Sequence, residues 1–337
     1  MTQSASMKPP AFTQEIEFSH AINNQIAQFW QQREEGAFTA EEEIKLQWVK
    51  FTDPNHSKSI TVVNGRIESF WKYQELFYDF FQRGYDIYSY DHRGQGVSDR
   101  VADDPQIGHV THFEDYILDL QRFVNTELPS EQYQHNFLLS HSMGGAISTR
   151  YVQQHTHPFT ALALGSPMFG IHLPLLLRPF AYSVSKLIDT LCPFNLFALG
   201  EGGYKSKPFA GNLLTQSEVR YSWFRDLYQH KPELQLGGPS SRWVWQAMQA
   251  AKQCIEQAEK TEIPVLLLQG EKDVIVDNSA QDRFHTKMQQ AHLQCIKHQI
   301  PEARHELFVE KDALRNQSLE KVDQFYNQTA TTIKRGR

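Results

Sequence analysis

The sequence predicts an α/β fold, a mostly parallel central sheet with helices on both faces, from three observations. Short apolar runs of strand length (Ile60–Val63, Phe137–Leu139, Phe159–Leu164, Ile263–Leu268) alternate with helix-length stretches, the pattern of repeated β–α units. Runs this apolar suit strands covered on both sides. Several of them end in turns carrying Gly, Ser, Asp or His, and functional groups of such sheets gather at the carboxyl ends of parallel strands. The rhythm then stops between Pro167 and Trp243 and resumes afterwards, as it does where a separate module is inserted.

Taken in order, residues 14–34 read as an N-terminal helix with Ile16, Ile22, Ile26, Phe29 and Trp30 roughly on one side, part of an extension spanning 1–40. Leu46–Phe51 alternates like a strand, and Asp53-Pro-Asn-His turns the chain. Ile60–Val63 is the next strand, followed by Asn64-Gly65-Arg66 and a helix from about Phe70 to Arg83. Tyr85–Tyr90 is a strand leading into Asp91-His-Arg-Gly-Gln-Gly96, which matches neither phosphate-loop pattern; Arg93 and Ser98 are expected to pin this loop near the site. Thr111-His-Phe-Glu114 has capping-box spacing and opens a helix to about Thr126. His109, His112, His155 and His157 lack carboxylates at ligand spacing and read as packing or capping groups, so no metal is expected. A helix near Trp245–Ala258, a helix Ser279–Gln290 capped from Asp277 or Asn278, a strand Cys295–Ile300 and a last helix Lys311–Ile333 complete the chain. The core is expected over 41–166 and 244–337, with a mainly helical cap over 167–243.

The chemistry centres on Asn136-Phe-Leu-Leu-Ser-His-Ser-Met-Gly-Gly-Ala-Ile-Ser148. A strand, a sharp turn bearing Ser142 and a helix form a nucleophile elbow, which lifts the hydroxyl clear of the sheet beside helix N-terminal N–H groups. The usual G-x-S-x-G has Ser140 for its first glycine, a small-for-small exchange. Alone, the elbow competes with a plain Gly/Ser-rich helix start. Asp273, three residues past the strand end at Gly270, and His305, past the strand Cys295–Ile300, supply the order Ser, Asp, His of an α/β-hydrolase. The expected oxyanion donors are the backbone N–H groups of Arg66 and Met143, against the alternative of a simple Asn-Gly turn. His141 should point away from the pocket.

Composition narrows the classes. The 337 residues suffice for one large α/β domain with an insertion or for two smaller ones, and the net charge of −6 argues against a nucleic-acid partner. Three widely spaced cysteines fit a reducing compartment and ordinary buried thiols. The first ten residues lack an apolar secretory core, and no apolar run reaches membrane-spanning length. The stretch from Pro167 to Trp243 is rich in proline, leucine and aromatics and carries +3, so a lid lining an acyl tunnel and docking on anionic bilayers is expected, with Met168, Phe169, Leu175, Leu176 and Leu177 against substrate; a helical subdomain with its own small core and an ordinary solvated surface are the alternatives.

The stretches Asn64-Gly-Arg-Ile-Glu-Ser69, Asp91–Gly96, His141–Ser148, Ser166-Pro-Met-Phe-Gly170, Phe308-Val-Glu-Lys-Asp312 and Phe29–Glu35 resemble bacterial lysophospholipases of the PldB type, and more distantly monoacylglycerol lipases of the serine aminopeptidase S33 group. The resemblance implies cleavage of the acyl ester of a lysophospholipid, with acyl transfer to another lipid as a second activity, no cofactor, and cytoplasmic residence with peripheral association at the bacterial inner membrane. A monoacylglycerol lipase or carboxylesterase would share the triad. A non-catalytic hydrolase-like binding protein would lack one of its members.

Overall fold

The computed structural model describes residues 10–172, 178–192 and 195–335. Among them, strands β1 Glu34–Thr39, β2 Lys45–Phe51, β3 Lys58–Val63, β4 Tyr85–Tyr90, β5 His135–His141, β6 Phe159–Gly165, β7 Val265–Gly270 and β8 Cys295–Ile300 form one eight-stranded sheet in the order β1-β2-β4-β3-β5-β6-β7-β8. The β1–β2 and β2–β4 pairs are antiparallel; every neighbouring pair from β4 across to β8 is parallel.

Successive strand residues point to opposite faces, so each central strand feeds two cores. On one face Val63, Leu138, Leu164 and Leu267 pack under helices α4 Phe113–Glu127, α5 Met143–Gln154, α8 Ser241–Glu256 and α9 Asn278–Gln290. On the other, Val62, Phe137, Leu139 and Leu266 meet α2 Gln25–Gln31, α3 Gln74–Phe81 and α10 Asp312–Arg335. There Tyr326 stacks on Phe137 at 4.2 Å between centroids and donates its hydroxyl to the Leu138 carbonyl at 2.8 Å.

Three local expectations change. The N-terminal stretch is two helices, α1 Glu15–Asn23 and α2, broken at Asn24, whose φ of −122° and ψ of −93° are not helical. The residues after them form the edge strand β1. The α4 helix starts one residue later than the Thr111 spacing suggests, because Asp115 reaches back to the His112 N–H at 2.9 Å. Asp277 does cap α9, its Oδ1 accepting from the Ser279 N–H at 3.0 Å.

Between β6 and α8 lie α6 Arg178–Leu191 and α7 Glu218–His230. The fully buried Arg220 fixes α7 to the body, donating to Glu75 at 2.9 Å, to Asp312 at 2.9 Å and to the Glu310 carbonyl at 2.9 Å. The α6 helix leans on α8 through Tyr182 edge-on to Trp245 and an Arg242–Asp189 pair at 2.8 Å. Leu175, Leu176 and Leu177 lie outside the described residues.

Candidate active site

Backbone geometry sets the centre. Ser142 joins β5 to α5 at φ 50° and ψ −116°, a conformation that costs a non-glycine residue about 1–3 kcal/mol. Backbone bonds hold it there: the Ser142 N–H donates to the Gly165 carbonyl at 3.1 Å, and the Ser142 carbonyl accepts from Met168 and Gly145, each at 2.9 Å. Gly144 is required by the same crowding, since a Cβ there would fall 2.2 Å from the Val63 carbonyl oxygen. Ser140, the departure from the elbow pattern, fits because its hydroxyl bonds that of Ser148 at 2.6 Å, joining strand to helix.

Three side chains from the ends of β5, β7 and β8 then converge. His305 Nε2 lies 3.0 Å from Ser142 Oγ, and His305 Nδ1 lies 2.8 Å from Asp273 Oδ2. The second Asp273 oxygen accepts from the N–H groups of Ile275 at 2.8 Å and Val276 at 3.2 Å. Burial alone would raise the Asp273 pKa, but His305 and these N–H donors hold it below the ordinary range. The arrangement can remove the Ser142 proton and stabilise the resulting imidazolium.

The loop after β3 runs beside the nucleophile; a Cβ on Gly65 would lie 3.1 Å from Ser142 Cβ. Gln95 holds this loop by donating to the carbonyls of Gly65 at 2.7 Å and Glu68 at 2.8 Å. The Gly65 N–H goes to the Glu68 carboxylate, whereas those of Arg66 and Met143 have no protein acceptor among the described residues. Arg93 pins the neighbouring turn through a bidentate contact to Asp119 at 2.7 and 2.6 Å, and Ser98 donates to the Asp91 carbonyl at 2.6 Å.

Met168 and Phe169 follow β6 with buried side chains, Phe169 against Phe284 at 4.5 Å between centroids. Both pack in the core on the α5, α8 and α9 side. Sequence reasoning missed a buried group behind the site. Glu68, His141 and Glu306 bring potential metal-ligating atoms within 4.8 Å of one another. Lys72 Nζ already donates to Glu68 at 2.8 Å and to Glu306 at 2.5 Å, and an ammonium between the two carboxylates opposes a cation there. Only the side-by-side acid and histidine of His305-Glu306 hinted at this group.

The family model described as serine aminopeptidase, S33 matches residues 54–312. The chain is 36% identical over 323 residues to lysophospholipase L2 of Escherichia coli strain K12, covering 94% of each. It is 28% identical over 222 residues to the monoglyceride lipase of Rattus norvegicus, covering 65% of this chain and 66% of that one. Among solved structures it resembles a soluble variant of the Saccharomyces cerevisiae monoglyceride lipase in complex with a substrate analog, with a TM-score of 0.66, 20% identity and 88% and 96% of the two chains covered. The sheet order and this likeness identify the fold as that of the α/β hydrolases.

Proposed function

The chain belongs to the serine aminopeptidase S33 family, and from that premise we propose that it is a serine hydrolase that cleaves the acyl ester of lysophospholipids. The observation that carries the chemistry is the continuous Ser142–His305–Asp273 hydrogen-bonded chain; the near full-length similarity to a lysophospholipase supports the substrate class. His305 Nε2 takes the Ser142 proton as Oγ attacks the ester carbonyl, and Asp273 stabilises the imidazolium. The oxyanion lies between the Arg66 and Met143 N–H groups, donors whose single removal in comparable sites costs about 10²–10³ in turnover. His305 then protonates the departing glycerol oxygen. Water, activated by the same histidine, releases the fatty acid; a lipid hydroxyl in its place gives acyl transfer.

In this reading residues 167–243 form a cap that meets the membrane. On α6, Phe180, Val184, Leu187 and Leu191 fall on one helical stripe and are 62%, 38%, 57% and 71% exposed. An exposed apolar stripe within an inserted, net positive segment suits shallow insertion into an anionic bilayer. No described helix is long and apolar enough to cross a membrane.

The test is hydrolysis of lysophosphatidylethanolamine and monoacylglycerol in parallel, with fatty acid and any acylated lipid resolved by mass. Release from lysophosphatidylethanolamine that Ser142→Ala abolishes is expected. Preference for monoacylglycerol would favour the second reading, which the rat relative supports. Flotation on phosphatidylglycerol vesicles should weaken with salt and with Phe180→Ser/Leu187→Ser; indifference to both would refute docking through α6 and leave the hydrolase reading standing.

A further inference from the structure

The buried group behind the site is fully connected. One Glu68 oxygen accepts from the Gly65 N–H, from the Tyr73 hydroxyl at 2.7 Å and from His141 Nδ1 at 3.1 Å; the other accepts from Lys72. Lys72 also reaches Glu306, and His141 Nε2 lies 3.1 Å from the carbonyl oxygen of His305. The rings of His141 and His305 are 4.8 Å apart between centroids. All of Glu68, Lys72, Tyr73, His141 and Glu306 are 5% exposed or less.

This geometry fixes a protonation state. The Lys72 ammonium, the Tyr73 hydroxyl and the Gly65 N–H all donate to Glu68 and make it a carboxylate, so both His141 nitrogens face oxygens that only accept, that carboxylate and a backbone carbonyl. A neutral imidazole carries one N–H and one lone pair, so either tautomer would set a lone pair against an oxygen. Only the imidazolium satisfies both contacts. Two acids then balance Lys72 and His141 with no net buried charge.

We infer that the His141 imidazolium is a positioning residue: it holds the His305 carbonyl and, through Glu68, couples the His305 loop to the Gly65–Arg66 backbone, so that one buried network sets both the base and the oxyanion donors. This rests on the reading of His305 as the base. The groups facing His141 are Glu68 and Lys72 from the segment after β3 and Glu306 and His305 from the segment after β8. Burial opposes its charge, but Glu68, with Glu306 behind it, overrides that and lifts His141 to about 9. On deprotonation the remaining proton stays on Nδ1, against the Glu68 carboxylate as the stronger acceptor, and Nε2 loses its bond to the His305 carbonyl at alkaline pH.

The first measurement needs no variant. In wild-type protein carrying ¹⁵N-histidine, assigned through the bonded carbons, both His141 ring nitrogens should be protonated at pH 7.5 and titrate near pH 9. A neutral His141 at pH 7.5 would overturn the inference. The second compares pH profiles on lysophosphatidylethanolamine. His141→Gln should lower kcat roughly 10- to 100-fold with KM little changed, the scale of a small misplacement of reacting groups, and should lose the alkaline limb of the wild type. An unchanged limb and kcat would also overturn it. Failure of wild-type Ser142 to react with a fluorophosphonate would instead overturn the underlying hydrolase reading, and the nuclear resonance result separates the two.

Discussion

Asp273→Asn is the substitution whose consequence the structure dictates most closely. Asp273 Oδ1 accepts two backbone N–H groups, from Ile275 and Val276, and Oδ2 faces His305 Nδ1. An asparagine must keep its oxygen against those N–H groups, because turning the amide over would set NH₂ against two donors. Leaving buried donors unmet costs about 1–3 kcal/mol each, so the flipped state lies roughly 2–6 kcal/mol higher. The amide nitrogen therefore occupies the Oδ2 place and donates to His305 Nδ1. His305 must then carry its proton on Nε2, pointing at Ser142 Oγ 3.0 Å away. The base has become a donor. Rescue through the flipped amide leaves a penalty near the top of that range, and with the carboxylate charge lost, turnover should fall about 10⁴-fold, the scale of this exchange in a Ser-His-Asp protease. The assay is kcat on lysophosphatidylethanolamine with circular dichroism to establish an intact fold. Asp277→Asn, at the α9 cap, is the control and should leave turnover within about twofold. A folded Asp273→Asn enzyme within tenfold of wild type, or a severe Asp277→Asn, would refute the reasoning.

Two further variants test the scaffold. Ser142→Gly and Ser142→Ala should both be inactive, but glycine relieves the φ of 50° while alanine keeps it, so the glycine variant should unfold about 1 kcal/mol later in urea; equal midpoints would show that the elbow stores no strain. Arg220→Ala removes the closest cation from the buried Glu75, whose pKa burial already pushes up against the pull of Arg315 and Arg220, and should cost about 3–5 kcal/mol; recovery of most of that loss in Arg220→Met/Glu75→Gln would show that the unpaired charge, rather than lost packing, is the cause.

Much of the site was legible because parallel strands buried on both faces are continuous apolar runs. β5 and β7 are buried at every position, and the residues just past their ends are Ser142 and Asp273. β1 was not legible: Glu-Glu-Gly-Ala-Phe-Thr has a single buried side chain, Phe38, and owes its strand form to pairing with β2. The break at Asn24 carries neither proline nor glycine to announce it. The charged network was hidden for a different reason. Glu68 and Lys72 stand at i,i+4, whereas His141 and Glu306 join them from 73 and 234 positions away. Sequence spacing reports neighbours along one element, and burial of this pair depends on which distant strand ends lie alongside it.

That arrangement also explains why two buried acids near one loop behave oppositely. Asp91, at the end of β4, accepts from the Ser69 hydroxyl at 2.5 Å, from the Phe70 N–H at 2.8 Å and from the Val97 N–H at 2.9 Å, yet has no salt-bridged cation among the described residues, and burial lifts it to about 6. Its folded-state pKa exceeds the unfolded value, so its contribution to stability diminishes as pH rises through 6. Glu68 is also buried, and there burial is outweighed by Lys72 and His141, which hold its carboxyl well below the ordinary range. Asp91 orders the outer part of the β3 loop at some cost in stability at neutral pH. Glu68 orders its inner part, next to the oxyanion donors, within a charge-balanced group. The strained Ser142 backbone is held by its own bonds to Gly165, Gly145 and Met168, and the two acids order the loop that runs beside it.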